Sequence, residues 1–371
     1  MRVHKYTTPL LYPLTGLIGG IYLQWSFNFA SHLLVLGLVP LSCALGLQLV
    51  NDKPDKAKKT IALLCLLGGA LLLTIQKNQR NHAVNLVADK QVDLIGIIID
   101  KDEWGQPVMG DLYKISVDNV VMPHKSAPEP VACIVLVYCK SKGNLTVGDR
   151  IVLKGATIKG NPPPSINGNP TYDDFLIKEN IVGSLFLPSA RQLWLISRPL
   201  VSFSRWLWTI RHGIYKAVAK KLSPSSAQYI GLIFFGHKPD STGELRHEFN
   251  YWGLSHYLAR SGLHIVLFIL IWTFLFKLFP LHIAIKRILL LTICAIYDLV
   301  SWTSIPFARA FYAFIVMKGG ELWHQQTNYL HILSLICLMI LLFNPMQLFF
   351  LDFQLTFALT FTLVLFSNIT T

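Results

Sequence analysis

The sequence predicts a polytopic α-helical membrane protein with a small all-β domain inserted between two membrane blocks. Three observations lead there. The 371 residues are 53% hydrophobic with a mean hydropathy of +0.47, and long apolar runs recur near both ends of the chain. Residues 76–195 interrupt those runs with mixed charges and a period-two pattern. Charge is partitioned in the same way. Of a net +13, residues 76–195 hold 13 basic against 12 acidic side chains, which leaves 20 against 8 for the membrane-flanking remainder. Part of that excess is a topology signal and not ligand affinity.

Residues 1–75 read as three transmembrane helices. Arg2 and Lys5 precede an apolar run from Pro9 to Ala30, a second follows from His32 to Val50, and a third spans Thr60 to Ile75. The first run is long, lacks a small-x-small cleavage site and is followed at once by another span, so it is a retained helix and not a signal peptide. The basic N-terminus and the Lys-rich 51–59 loop are expected in the cytoplasm, which puts residue 76 onward outside.

Residues 76–160 read as the β domain. Val92–Ile99, Leu112–Val120, Ala132–Cys139 and Arg150–Ile158 alternate as strands, with turn residues between them. Four or five strands in that length suit a barrel of the OB type, here extracytoplasmic. Residues 161–195 read as a Pro/Asn-rich linker (Asn161–Pro170) and a short helix (Tyr172–Asn180). In 196–253, Arg198, Arg205, Arg211, Lys216, Lys220 and Lys221 alternate with Trp206, Trp208, Ile210, Ile214 and Tyr215, and 196–222 has no acid. This is a basic amphipathic interfacial helix, a solvated face at the headgroups before it is a nucleic-acid contact. Ala227–Gly236 is too short to span, so it is re-entrant or interfacial, and His237–Gly253 is a polar loop.

Residues 254–371 form the second membrane block. Its runs are Ile265–Phe279, Leu281–Ser304, Pro306–Met317, Tyr329–Phe343 and Phe349–Phe366. Several are shorter than about 20 residues and interrupted by Pro or Gly, as in helices that line a polar path. The last run reaches almost to residue 371, as expected of part of a larger membrane domain.

Ionisable groups at bilayer depth cost several kcal/mol each and mark function or a specific pairing. His256, Arg260 and His264 stand at i, i+4 and i+8, one above another on one helix face, with Ser261 and Gly262 beside them. Lys286 and Arg287 are interface anchors. Arg309 is the single charge in Phe307–Met317. A guanidinium does not deprotonate, so it takes a carboxylate, carbonyls, water or a phosphate. Two readings stand: an ion pair with Asp298 or Asp352, or the wall of an anion pathway. Asp352 and Thr356 share a face, and Gln354 points elsewhere; such polar groups also glue helices together.

No enzyme is expected. Ser261 lacks a preceding Gly for a nucleophile elbow, and His256, His264 and Asp298 form no H-E-x-x-H site. Of six Cys, four lie in apolar runs. Cys133 and Cys139 share a strand face about 20 Å apart and cannot bridge without a bend. No metal or cofactor pattern appears.

At this point the chain resembles the N-terminal part of ComEC-type competence proteins, the inner-membrane channel for DNA in natural transformation. Three N-terminal spans precede an OB-like domain. Asn169-Pro170 with Tyr172-Asp173 is similar to the family's Asn-Pro…Phe-Asp-Tyr, and His256 through His264 is close to its His-Leu-Leu-Ala-Ile-Ser-Gly-Leu-His. Arg309-Ala310, Asn344-Pro345 and Asp352 through Ala358 follow in the family's order. Tyr257 and Arg260 depart from it, adding polarity and charge. Long members continue into further spans and a metallo-β-lactamase-like domain, and none of the twelve His here forms that domain's H-x-H-x-D-H cluster, so a split or shortened member is expected.

The resemblance implies inward movement of single-stranded DNA through the cytoplasmic membrane. It implies further partners: membrane lipids, a periplasmic or surface DNA receptor, a cytoplasmic translocation ATPase, a separate nuclease or second channel subunit, or a second copy of the chain. Phosphate charge and base stacking govern such binding. Lys140, Lys142, Arg150, Lys154 and Lys159 then make a local patch on the OB-like domain, joined by Arg205, Arg211 and Lys216. His256, Arg260, Ser261, Gly262, His264, Asp298, Arg309, Asp352 and Gln354 line the path. Trp104, Tyr113 and Tyr138 are the candidate stacking rings. The rival is a small-molecule or lipid-headgroup transporter with an extracytoplasmic binding module.

Overall fold

The computed structural model describes residues 10–50, 54–103, 111–122, 127–140, 143–160, 176, 179–188, 192–236, 249, 251–252, 262–302, 305–322 and 328–370. They form two compact units. One is helical, from Met1–Lys77, Arg260–Asp298 and Thr303–Thr371; the other is β-rich, from Asn78–Ala259 with Leu299–Trp302.

In the β-rich unit β1 (Gln91–Glu103), β2 (Asp111–Val121) and β3 (Glu129–Cys139) make an antiparallel meander. β4 (Arg150–Thr157) returns antiparallel to β1. After one residue β5 (Lys159–Gly160) continues its course and pairs with β6 (Ile181–Leu187), which lies parallel to β3. The path β1–β2–β3–β6–β5/β4–β1 therefore returns to its start. β7 (Leu193–Ser197) adds antiparallel to β4. Alternation decides which side chains go in. On β2, Tyr113, Ile115 and Val117 are buried while Leu112, Lys114 and Ser116 are half-buried. A bulge between Val117 and Asn119 then turns Val120 inward. Ile98, Val135, Ile151 and Leu153 complete the core; burying each such side chain contributes about 1.5–3 kcal/mol.

The four predicted strands are present with longer ends. Three more were hidden: β5 follows one residue after β4, β6 lies inside residues 161–195, read above as linker and helix, and β7 begins there and ends at Ser197, while the Asn161–Pro170 linker and most of the Tyr172–Asn180 helix reading are outside the described residues. The third N-terminal helix also differs. Thr60–Ile75 sits inside a helix of 34 residues, α3 (Pro54–Val87), because no proline follows Pro54 before Asp89, whose left-handed φ of 56° lies just past the helix end. Ala83 and Val87 of that helix belong to the β core. The basic segment forms α4 (Phe203–Ala219), capped by Ser202, and is followed by α5 (Pro224–Ile230) and one π-helical turn at Gly231–Phe235.

The helical unit contains α1 (Leu11–Phe27), α2 (Ser31–Val50), the first part of α3, α6 (Gly262–Lys277), α7 (Ile283–Val300), α8 (Ile305–Leu322), α9 (Tyr329–Phe343) and α10 (Leu351–Thr370). A 3₁₀ turn, Pro345–Phe349, joins α9 to α10. α9 is its most enclosed helix: Leu330, Leu333, Ile336, Cys337 and Leu341 are all buried. The outward faces are apolar instead, with Leu351, Leu355, Leu359 and Leu363 exposed at four-residue spacing on α10. Among the described residues one helix, Lys56–Val87, is long and apolar enough to cross a membrane; Ser31–Leu45, His264–Lys277, Tyr329–Phe343 and Leu351–Ser367 are apolar and shorter.

Candidate functional site

In the helical unit, Phe307, Phe311 and Phe314 put one face of α8 into a core with Ile265, Leu290 and Cys294. That leaves Arg309 on another face, toward α10. Its Nη1 donates to the Thr356 carbonyl at 2.7 Å and to the Thr360 hydroxyl. Its Nε is buried without a hydrogen-bond partner. Of the two readings, the ion pair with Asp298 or Asp352 is absent among the described residues. The α10 threonines are one helical turn apart, so they meet the guanidinium first. Among the described residues this is a cation held by neutral oxygens, with no carboxylate in an ion pair with it.

The neighbouring predictions separate. Asp352 is exposed in the first turn of α10, where its carboxylate accepts from the Phe353 N–H. Gln354 donates to the Leu348 carbonyl and so closes the 3₁₀ turn rather than joining two helices. Asp298 is half-buried on α7; Gly262 opens α6 and His264 is half-buried in its first turn. His256, Arg260 and Ser261 lie outside the described residues, as do Lys142 and Trp104.

In the β-rich unit the basic residues fall into two groups. Arg205 is engaged internally: with Arg198 it grips Asp149, whose side chain is fully buried. Arg198 donates through Nε at 3.0 Å and Nη2 at 2.8 Å, and Arg205 through Nη2 at 2.7 Å. Burial pushes the Asp149 carboxyl up, but Arg198 and the Thr146 N–H and hydroxyl outweigh it, leaving it below the usual carboxylate value. Arg211 donates to the Leu299 carbonyl at 2.7 Å and lies over the Trp302 ring. Arg150 stands 3.9 Å from Asp118, a weak surface pair. Lys140, Lys154, Lys159 and Lys216 are exposed.

The rings divide likewise. Tyr113 is fully buried, and its hydroxyl donates to Asp111 at 2.9 Å, so it is a core residue and no stacking platform. Tyr138 stacks on Phe186 with centroids 4.7 Å apart. Phe186 and Trp194 are 63% and 58% exposed, and Lys154 Nζ lies 5.4 Å from the Trp194 ring centre. Both rings were missed in the sequence. The alternation around them, Val182 in and Trp194 out, is short and sits beside a Pro-rich stretch.

Residues 233–371, covering α6 to α10, match the family model described as Competence protein. No curated protein and no solved structure matches the chain.

Proposed function

We propose, from the match of residues 233–371 to the Competence protein family model, that this protein is a ComEC-type competence protein and carries incoming single-stranded DNA across the cytoplasmic membrane as part of the channel used in natural transformation. The supporting observation is Arg309. It lies within the matched region and, among the described residues, is held by a carbonyl and a hydroxyl and by no carboxylate. A permanent cation in that state attracts a phosphate without first breaking an ion pair.

In this reading the chain is multi-pass. The N-terminal helices and α6 to α10 cross the bilayer, singly or as short helices packed within it. The exposed leucine row of α10 faces acyl chains. The β-rich unit is an OB-type barrel outside the cytoplasm; the strand path that returns from β4 to β1 supports the barrel, and the basic 51–59 segment supports the side. The chain acts without catalysis of its own, alongside a DNA receptor, a translocation ATPase and a nuclease on other polypeptides. Arg309→Ala tests it. Import of labelled DNA into the cytoplasm is expected to fall at least tenfold, with the protein's membrane level unchanged. Normal import by a normally abundant variant would refute the reading.

A further inference from the structure

We infer that the β-rich unit seats an unpaired nucleobase of single-stranded DNA in the cleft where β6 and β7 part around β4. This rests on the DNA-import reading and gives its ligand a specific place.

The seam follows from the pairings. Along one edge β4 is covered by β1 from Arg150 to Thr157. Along the other, β7 covers Arg150 to Leu153, and β6 reaches only Lys159 and Gly160. Residues 154–157 face neither strand there. A cleft of about 380 Å³ opens at this gap, lined by Lys154, Thr157, Phe186, Gln192 and Trp194. That volume falls in the range of small-ligand sites. Its walls are the two most exposed rings of the barrel strands, an arrangement that bare burial economics disfavours unless a partner covers them.

Both rings are fixed. Phe186 is backed by Tyr138, stacked at an interplanar angle of 11°, and Trp194 is held beside the Lys154 ammonium. Rings held with one face open and a cation beside them are the elements of sequence-tolerant base stacking. Lys140 and Lys159, exposed on neighbouring strands, can meet flanking phosphates. The acid at the seam, Asp93, already accepts the Gly155 N–H at 2.6 Å.

Charge separates this site from a polyanion surface. With 13 basic against 12 acidic side chains in residues 76–195, stacking must carry the binding. Three lysines set a ceiling on salt dependence, a log–log slope of about −2.

The test uses the full chain in nanodiscs and a fluorescein-labelled ten-nucleotide oligothymidylate, read by anisotropy. Trp194→Ala and Phe186→Ala are each expected to weaken binding roughly 5- to 100-fold. Trp194→Phe is expected to stay within about threefold of the parent, and none of the three to shift the melting temperature, since both rings are already exposed. Alanine variants that bind like the parent would overturn the cleft, while the import reading would still stand or fall on Arg309→Ala. A salt slope of about −4 or steeper would move binding to a basic surface elsewhere and overturn it too. So would a parent that ignores the oligothymidylate and binds a neutral chito-oligosaccharide through the same rings.

Discussion

Asp149 is the residue on which the β-rich unit depends most sharply. Two arginines from beyond β7 converge on one buried carboxylate. Asp149→Ala leaves both guanidinium groups without it and is expected to cost about 2–4 kcal/mol, toward the lower end of a broken buried pair because Arg198 remains partly in water. The pH dependence has a definite sign. The folded carboxyl lies below its unfolded value, so its contribution is present at neutral pH and is lost as pH falls through that lowered value, below about 4. Thermal melts of parent and Asp149→Asn should therefore draw together as pH falls below about 4; a gap as wide in acid as at neutral pH would contradict the clamp. Cys133 and Cys139 give a second check. Burial pushes both thiols up to about 12, with Asp111 adding to Cys139. Neither should react with iodoacetamide at pH 8 until the unit unfolds, and rapid labelling at either position in the folded protein, read by peptide mapping because Cys43 is exposed, would refute their placement. The sequence could single out Arg309 as an unusual charge but not its partners, because threonine spacing on α10 means nothing until that helix is placed beside α8. Phe186 and Trp194 were invisible as a pair for the same reason: eight residues apart, they meet only through β4.

Among the elements, α1 and α3 show how small residues fix a helix contact. A Cβ at Gly16 or Gly20 would run into the carbonyl oxygens of Ala62 and Leu66, so the two backbones touch where the four-residue glycine repeat lies. Gly20→Val is expected to lower the level of folded protein severalfold, while Gly68→Ala, which meets no neighbouring atom, should leave it unchanged. Equal yields from both variants would contradict the packing. Gly183 plays the same part in the β unit. A Cβ there would meet the Lys159 carbonyl, so only glycine lets β6 approach β5 and complete the strand path. Helices and long alternating strands were legible because their periods repeat many times. β5 and β6 were not, since two and seven residues give too few periods to read, and α3 ran past its apolar stretch because Gln76–Val87 stays helical without being apolar.

At the scale of the molecule, the alternation of apolar helices with a β-rich stretch was legible, though its internal bounds were not. Apolar blocks bracket a near-neutral β region, and the positive charge gathers beside the blocks. The residues that match the Competence protein model include the second block, with Arg309 near their middle, and the aromatic cleft is on the β-rich unit. That division gives the account two independent handles, one on passage and one on capture. Loss of Arg309 should stop passage and leave capture intact, whereas loss of Trp194 should weaken capture first. The measurement that tests this most directly is import of end-labelled duplex DNA by cells carrying the parent chain, Arg309→Ala or no copy of the gene. DNA bound at the surface is scored separately from DNA in the cytoplasm. The account predicts that import falls at least tenfold with Arg309→Ala and disappears without the gene, while surface binding through the separate DNA receptor persists in both. Import that continues at the parental rate without the gene would contradict it.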